Sequence, residues 1–355
     1  MSSISLSRPS DVSRLPAKIA RDRTAIRLWL YAIAALILAL VVVGGATRLT
    51  ESGLSITEWK PIHGIVPPLS EAEWTEEFQL YQRIPQYQEL NQGMSLSGFK
   101  TIFWWEWAHR FLARSVGFAF ALPLAFFWAT GRVEGWLKPR LVALLALGGL
   151  QGAIGWWMVA SGLSERTDVS HLRLAVHLVT ALVILAGLVW TGLDLMQLHR
   201  DRLATPARLA PAAILALALL FVQIVWGAFT AGLDAGYAFA SWPLMGDSLF
   251  PAGVPLTGTL ADAVDNPVMV QFIHRWLAFV VAVALFWLSV RATRRGSRAG
   301  FAVTGLVTLQ IFLGVATLLT GVQIAVAVAH QANAALLLIA TVAAAHRIGI
   351  PKASI

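Results

Sequence analysis

Apolar positions in this chain seldom follow the 3.6-residue period of a surface helix or the alternation of a half-buried strand. They run on without interruption. Eight stretches approach the length of about 20 residues needed to cross a bilayer as a helix: 28–46, 103–129, 141–161, 171–193, 210–230, 268–290, 300–320 and 324–345. The polar segments between them read as loops. The longest, 47–102, contains LSEAEWTEEFQLYQRI, whose Ser70-x-x-Glu73 start has the form of a capping box. That predicts a short amphipathic helix lying near the membrane surface. One span breaks the apolar pattern. FWWEWAHRFLARS, residues 103–115, places Glu106, His109, Arg110 and Arg114 where hydrocarbon penalises them.

Composition agrees with a polytopic membrane protein. The 355 residues are 57% hydrophobic and 13% charged, against about 25% charged in soluble domains. The formal charge of +8 points to an anionic partner only until its distribution is read. With the N-terminus taken as cytoplasmic, the cytoplasmic segments 1–27, 130–140, 194–209, 291–299 and 346–355 hold 18 of the 27 Lys and Arg. The external segments hold 13 of the 19 acidic residues. This is the positive-inside bias; it places both termini in the cytoplasm and removes the argument for nucleic acid. The chain has no cysteine, so disulfides, thiolate ligands and iron–sulfur ligation by its own residues are excluded. No short apolar core with a cleavage site follows the polar first 27 residues, so the first span reads as retained.

Two halves repeat. FWWEWAHRFLA and VMVQFIHRWLA share [E/Q]-x-x-H-R-[F/W]-L-A at 106–113 and 271–278, and L-Q-x-x-x-G recurs at 150–155 and 309–314. LAVHLVTAL and VAVAHQANA each place one histidine in a small-residue context, and WKPIHG at 59–64 is echoed by WPLMG at 242–246. A repeated unit of four spans enters the membrane twice in the same orientation. The expected fold class is therefore all-α integral membrane, eight transmembrane helices as two parallel-repeat four-helix bundles. The parts expected are a tail 1–27, an N-terminal bundle 28–196, a cytoplasmic linker 197–209, a C-terminal bundle 210–346 and a tail 347–355.

His109, His177, His274 and His330 all lie about six or seven residues inside the outer end of a span, roughly 9–10 Å deep at 1.5 Å per residue. Each half thus offers two imidazoles on two helices at one depth. A lone intramembrane histidine is often only a helix–helix hydrogen bond, but four in matched pairs suit a planar haem gripped from both sides. Zinc or copper would want a third protein ligand. Gly117, Ala175, Ala329 and Ala332 leave room for a macrocycle. Arg110, Arg173 and Arg275 near these ligands, and Arg48 past the first span, are candidates for anionic propionates, with snorkelling to lipid phosphate as the competing use. His199 and His346 read as ordinary helix-end residues, while His63 and His171 carry no assigned role.

The halves differ at one position. Glu106 lies one turn outward from His109, and its counterpart before His274 is Gln271. A carboxylate beside a macrocycle can accept a proton or stabilise positive charge, which an amide cannot. The difference assigns chemistry to the N-terminal half and cofactor holding to the C-terminal half. The competing reading is an ion pair with Arg110, four residues on.

EWAHR with QFIHR, His177 and His330, the duplicated layout and the loop GGATRLTESGLSITEWKPIHGIVPP together resemble the haem A synthase family over about residues 28–346. The likeness is to its long-loop type, found in some bacteria and mitochondria, without the outer-loop cysteine pair of other members. The resemblance implies an oxidoreductase that converts the C8 methyl of haem O to a formyl group by successive hydroxylations, giving haem A for terminal oxidases. It implies His109 and His177 as ligands of the substrate haem, His274 and His330 as iron ligands of a resident haem B cofactor, and Glu106 as the catalytic glutamate. It further implies a multi-pass protein of the bacterial inner membrane, an electron donor that is ferredoxin-like or a quinol, and contact with a haem O synthase and oxidase assembly factors. An iron with two histidine ligands has no open position for dioxygen; either a ligand leaves, or electrons are withdrawn and water attacks. The alternative function is a dihaem b-type cytochrome passing electrons from quinol, which would not need the Glu106/Gln271 difference. A transporter with a histidine proton relay would show broken spans at matching positions, and none are seen.

Overall fold

The computed structural model describes residues 17–60, 63–201 and 204–350, with His63 as backbone only. Residues 1–16 and 351–355 of the two expected tails, and Arg202 and Leu203 of the expected linker, lie outside the described residues. In chain order the helices are α1 (Ala17–Leu49), α2 (Glu71–Tyr81), α3 (Pro85–Glu89), α4 (Leu96–Ala129), α5 (Lys138–Ala160), α6 (His171–Arg200), α7 (Pro211–Gly232), α8 (Asp262–Asp265), α9 (Pro267–Arg294), α10 (Arg298–Leu319) and α11 (Ile324–Gly349). Eight of them, α1, α4, α5, α6, α7, α9, α10 and α11, are long and apolar enough to cross a membrane. No strand occurs among the described residues. This is an all-α, multi-pass membrane protein.

Several helices outrun their apolar stretches. α1 begins at Ala17 rather than 28, α4 at Leu96 rather than 103, and α6 continues to Arg200. Hydropathy marks where hydrocarbon contacts the helix. Each added residue still gains a backbone hydrogen bond outside that zone, so the helix continues until something caps it. For α4 that is Ser95, whose Oγ accepts from the Gly98 N–H at 3.2 Å.

The extra turns of α4 receive the amphipathic helix of the long loop. Ser70 and Glu73 form the capping box at its start: Glu73 N–H donates to Ser70 Oγ at 3.3 Å, and Ser70 N–H to Glu73 Oε2 at 3.0 Å. α2 then buries Trp74 and Tyr81. Trp74 meets Phe103 with ring centres 4.9 Å apart, and Tyr81 meets Phe99 at 5.4 Å. The loop is thus anchored on a pillar of aromatic contacts standing over the N-terminal bundle.

Pro123 sits inside α4 and cannot donate to the Ala119 carbonyl one turn back. Trp29 of α1 supplies the missing donor, its indole Nε1–H reaching Ala119 O at 2.9 Å. Phe120 and Phe127 flank the same indole at 4.9 and 5.6 Å. A helix defect thereby becomes an α1–α4 contact.

α1 packs on α4 and α6, and α5 on α6; α7 packs on α9, α10 on α9, and α10 on α11. The two groups meet where α6 touches α7 and α11, and where α1 touches α11. At the end away from the long loop, Asp194 of α6 is fully buried at this seam. Arg140 of α5 donates to it at 2.5 Å, His346 of α11 lies 2.9 Å away, and the Ala207 N–H donates at 3.0 Å. His346, an ordinary helix-end residue by sequence, is a buried joint because α11 carries it back across α6.

Candidate functional site

Three of the four histidines sit in the same cradle. His177 of α6 faces α5, where Gln151 Nε2 donates to the His177 carbonyl at 2.9 Å and lies 3.1 Å from Nδ1. One turn further along α5, a Cβ on Gly155 would stand 2.9 Å from the His177 Cε1. His274 of α9 meets Gln223 of α7 in the same way, at 2.9 Å through its carbonyl and 3.0 Å at Nδ1, with Gly227 closing the cradle at 3.0 Å. His330 of α11 meets Gln310 of α10 at 3.1 Å through its carbonyl and 3.2 Å at Nδ1, with Gly314 at 3.0 Å. The glycines are required by this approach, because any side chain there would push into the ring.

His109 of α4 is the exception. It rests against Gly44 of α1, where a Cβ would stand 3.1 Å from Nε2 and 3.4 Å from Cδ2. The residue one turn before Gly44 is Leu40, which has no amide to offer.

The histidine pairs suit a haem. The His274 and His330 rings lie 6.5 Å apart between centres, with their planes at 84°. One metal between two opposed imidazoles, at bonds of about 2.0 Å and about 1.1 Å more to each ring centre, needs about 6.2 Å. Among the described residues no three His, Cys, Asp or Glu side chains converge, so each pair offers two protein ligands. The amide oxygens of Gln151 and Gln223 are buried with no hydrogen-bond partner. Turned onto Nδ1, each would accept the proton that an imidazole carries there when Nε2 binds iron.

Glu106 is buried, and its carboxylate is fully engaged. Oε1 accepts from Arg110 Nη2 at 2.6 Å and Nε at 3.0 Å; Oε2 accepts from the Ile56 N–H at 2.7 Å and Ser55 Oγ at 2.8 Å. Arg110 also donates to Ile56 O at 2.8 Å. The competing ion pair is therefore present. Gln271 and Arg275 build the same clamp in the C-terminal half, but onto carbonyls. Gln271 Nε2 donates to Phe239 O at 3.1 Å, while Arg275 donates to Phe239 O at 2.8 Å and Ser241 O at 2.9 Å. Both pairs pin a loop to the helix one turn before its histidine.

The arginines divide into two kinds. Arg48 is neutralised by Asp168 at 2.9 Å and Asp234 at 3.2 Å, and Arg110 by Glu106. Burial pushes the Asp168 carboxyl above its ordinary range, ahead of the opposing pull of Arg48. Arg173 instead donates to Trp157 O at 2.8 Å and stacks over that ring at 4.7 Å. Arg275 is buried, with Nε unpartnered. Among the described residues neither Arg173 nor Arg275 has a carboxylate in ion-pair reach; both suit an anionic propionate, Arg275 through Nε alone, since its Nη atoms are held by the Phe239, Ser241 and Leu244 carbonyls. His171, unassigned by sequence, lies buried at the seam, 3.1 Å from Asp265 Oδ1. The glutamine cradle was missed in the sequence. In the sequence L-Q-x-x-x-G marks only the duplication, and the third copy, Gln223-x-x-x-Gly227 in FVQIVWGAF, has valine in place of the leading leucine.

Residues 27–342 match the COX15-CtaA family, described as cytochrome oxidase assembly protein. A protein of Rhizorhabdus wittichii named heme A synthase is 54% identical over 351 residues, covering 98% of this chain and 99% of its own. Proteins with the same name from Sphingopyxis alaskensis and Agrobacterium fabrum are 52% and 53% identical, covering 96% and 90% of this chain and 96% and 88% of theirs. Matched in this way along nearly all its length, the chain belongs to the COX15-CtaA family of cytochrome oxidase assembly proteins.

Proposed function

We propose that the chain is a haem A synthase, an oxidoreductase that takes haem O to haem A, and that the N-terminal bundle holds the substrate while the C-terminal bundle holds haem B. The observation that carries this reading is the paired-histidine cradle, present in both halves and incomplete at His109 alone. Family membership and the name shared by its relatives support the reaction. Iron in a macrocycle supplies the redox chemistry when bound.

The residues of the chain do the rest. His109 and His177 hold the substrate iron, and His274 and His330 hold the cofactor iron. Arg173 and Arg275 set the depth of each macrocycle by pairing with propionates. Glu106 acts chiefly through position: with all four of its contacts taken, it fixes the 52–60 loop over the first site and excludes water there. To accept a proton it must first release Ser55 or Arg110. The bacterial relatives favour the inner membrane as the location. Haem O arrives from an upstream synthase, and the electron donor is a ferredoxin-like protein or a quinol.

The test is haem content per chain. His274→Ala and His330→Ala should each lose haem B, whereas His109→Ala and His177→Ala should keep it and lose bound haem O. Full haem B in both C-terminal variants would sink the assignment.

A further inference from the structure

We propose that Gln151, Gln223 and Gln310 are ligand clamps, and that His109, which has none, is the ligand that releases the substrate iron. This rests on the reading above that His109 and His177 share one haem.

Two independent observations support it. The first is the clamp itself. Each glutamine sits one turn from the cradle glycine on the neighbouring helix, with its amide against both the histidine carbonyl and Nδ1; once Nε2 is on iron, Nδ1 carries the proton and the amide oxygen is the atom that would hold it. Rotating such an imidazole off a metal would break its contact to a buried amide. At the fourth position Leu40 stands where the pattern calls for glutamine.

The second is where the gap falls. All four rings rest one edge against a glycine of the neighbouring helix, and His109 is the one beside which Leu40 stands in place of an amide. The unclamped histidine lies in the half that carries Glu106.

The consequence concerns coordination. Two histidines and a macrocycle fill all six positions on iron. Release of His109 would break the Nε2–iron bond with its electron pair remaining on the imidazole and the oxidation state of the iron unchanged, and would free one position for an oxygen donor. His177, held by Gln151, stays bound and keeps the substrate in place. At the second site Gln223 and Gln310 would hold both histidines in place.

Carbon monoxide tests this directly, since it binds ferrous haem only where a ligand can leave. Holoprotein would be purified from cells making haem O, reduced with dithionite and mixed with carbon monoxide. The wild type should form the adduct at one of its two haems. Leu40→Gln, which supplies the missing clamp, should keep both haems and slow adduct formation by about tenfold or more, the effect of one or two added hydrogen bonds. Gln223→Leu should make the second haem reactive toward carbon monoxide. Wild-type adduct formation in Leu40→Gln with both haems present would overturn the proposal. So would a Gln223→Leu protein that holds haem B and stays inert, and this second arm decides the matter if Leu40→Gln fails to load. Failure of the underlying reading is separate: two haems retained per chain in both His109→Ala and His177→Ala would reject the ligand pair itself.

Discussion

The Ile56 N–H donates to Glu106 Oε2 at 2.7 Å, and at the corresponding place in the other half Gln271 Nε2 donates to Phe239 O at 3.1 Å. The acid and the amide therefore answer loops of opposite polarity. One loop offers N–H and hydroxyl donors, the other offers carbonyls. Glu106 and Gln271 are not the same device with and without a charge; each is matched to the chain it holds.

This matching predicts the outcome of Glu106→Gln. A glutamine turns an NH2 group toward either Arg110 or the Ile56 N–H, where only an acceptor fits, and a buried donor loses its partner. Conversion should fall by about tenfold or more, haem B should remain, and chymotrypsin should cut faster at Trp59. Lost conversion with an unchanged cleavage rate would move Glu106 from positioning into the chemistry.

The glycine cradles predict a contrast between two similar substitutions on one helix. Gly314→Ala places a methyl 3.0 Å from His330 Cε1, whereas Gly305→Ala meets nothing within 4 Å. The first should lose haem B during purification and shift its spectrum. The second should retain haem B and, by removing a helix glycine, be slightly more stable. Equal haem retention in the two would mean that the cradle is loose.

The Trp29–Pro123 relationship predicts a coupled pair. Trp29→Phe leaves the Ala119 carbonyl without its donor and should cost about 1–3 kcal/mol. In a Pro123→Ala background the helix supplies its own N–H to that carbonyl, so the same substitution should cost less. Thermal unfolding in detergent of the two single variants and the double variant would measure the difference. Additive costs would show that the indole contributes by packing alone.

Much of this was legible in the sequence, for identifiable reasons. Span number follows from apolar length, and the α2 cap from Ser70 and Glu73, because both are local properties. The histidines stood out because hydrocarbon makes them expensive. The partners of those residues were not legible. The Glu106–Arg110 pair, four residues apart, was the exception; that Arg110 also holds the Ile56 and Glu58 carbonyls, and that Arg48 bridges Asp168 to Asp234, depends on loops folding back across 52 to 186 residues of chain. The Gln223 cradle was in plain view but carries meaning only once α7 is placed beside α9.

The central claim is that this chain makes haem A. The most direct measurement is extraction and chromatography of haem from membranes of a host that makes haem O but no haem A, with this chain supplied and its reductant confirmed. Haem A, or its hydroxylated precursor, should appear with the wild type and vanish with His109→Ala. A red, folded protein in membranes containing only haems B and O would contradict the account and leave an electron-transfer cytochrome in its place.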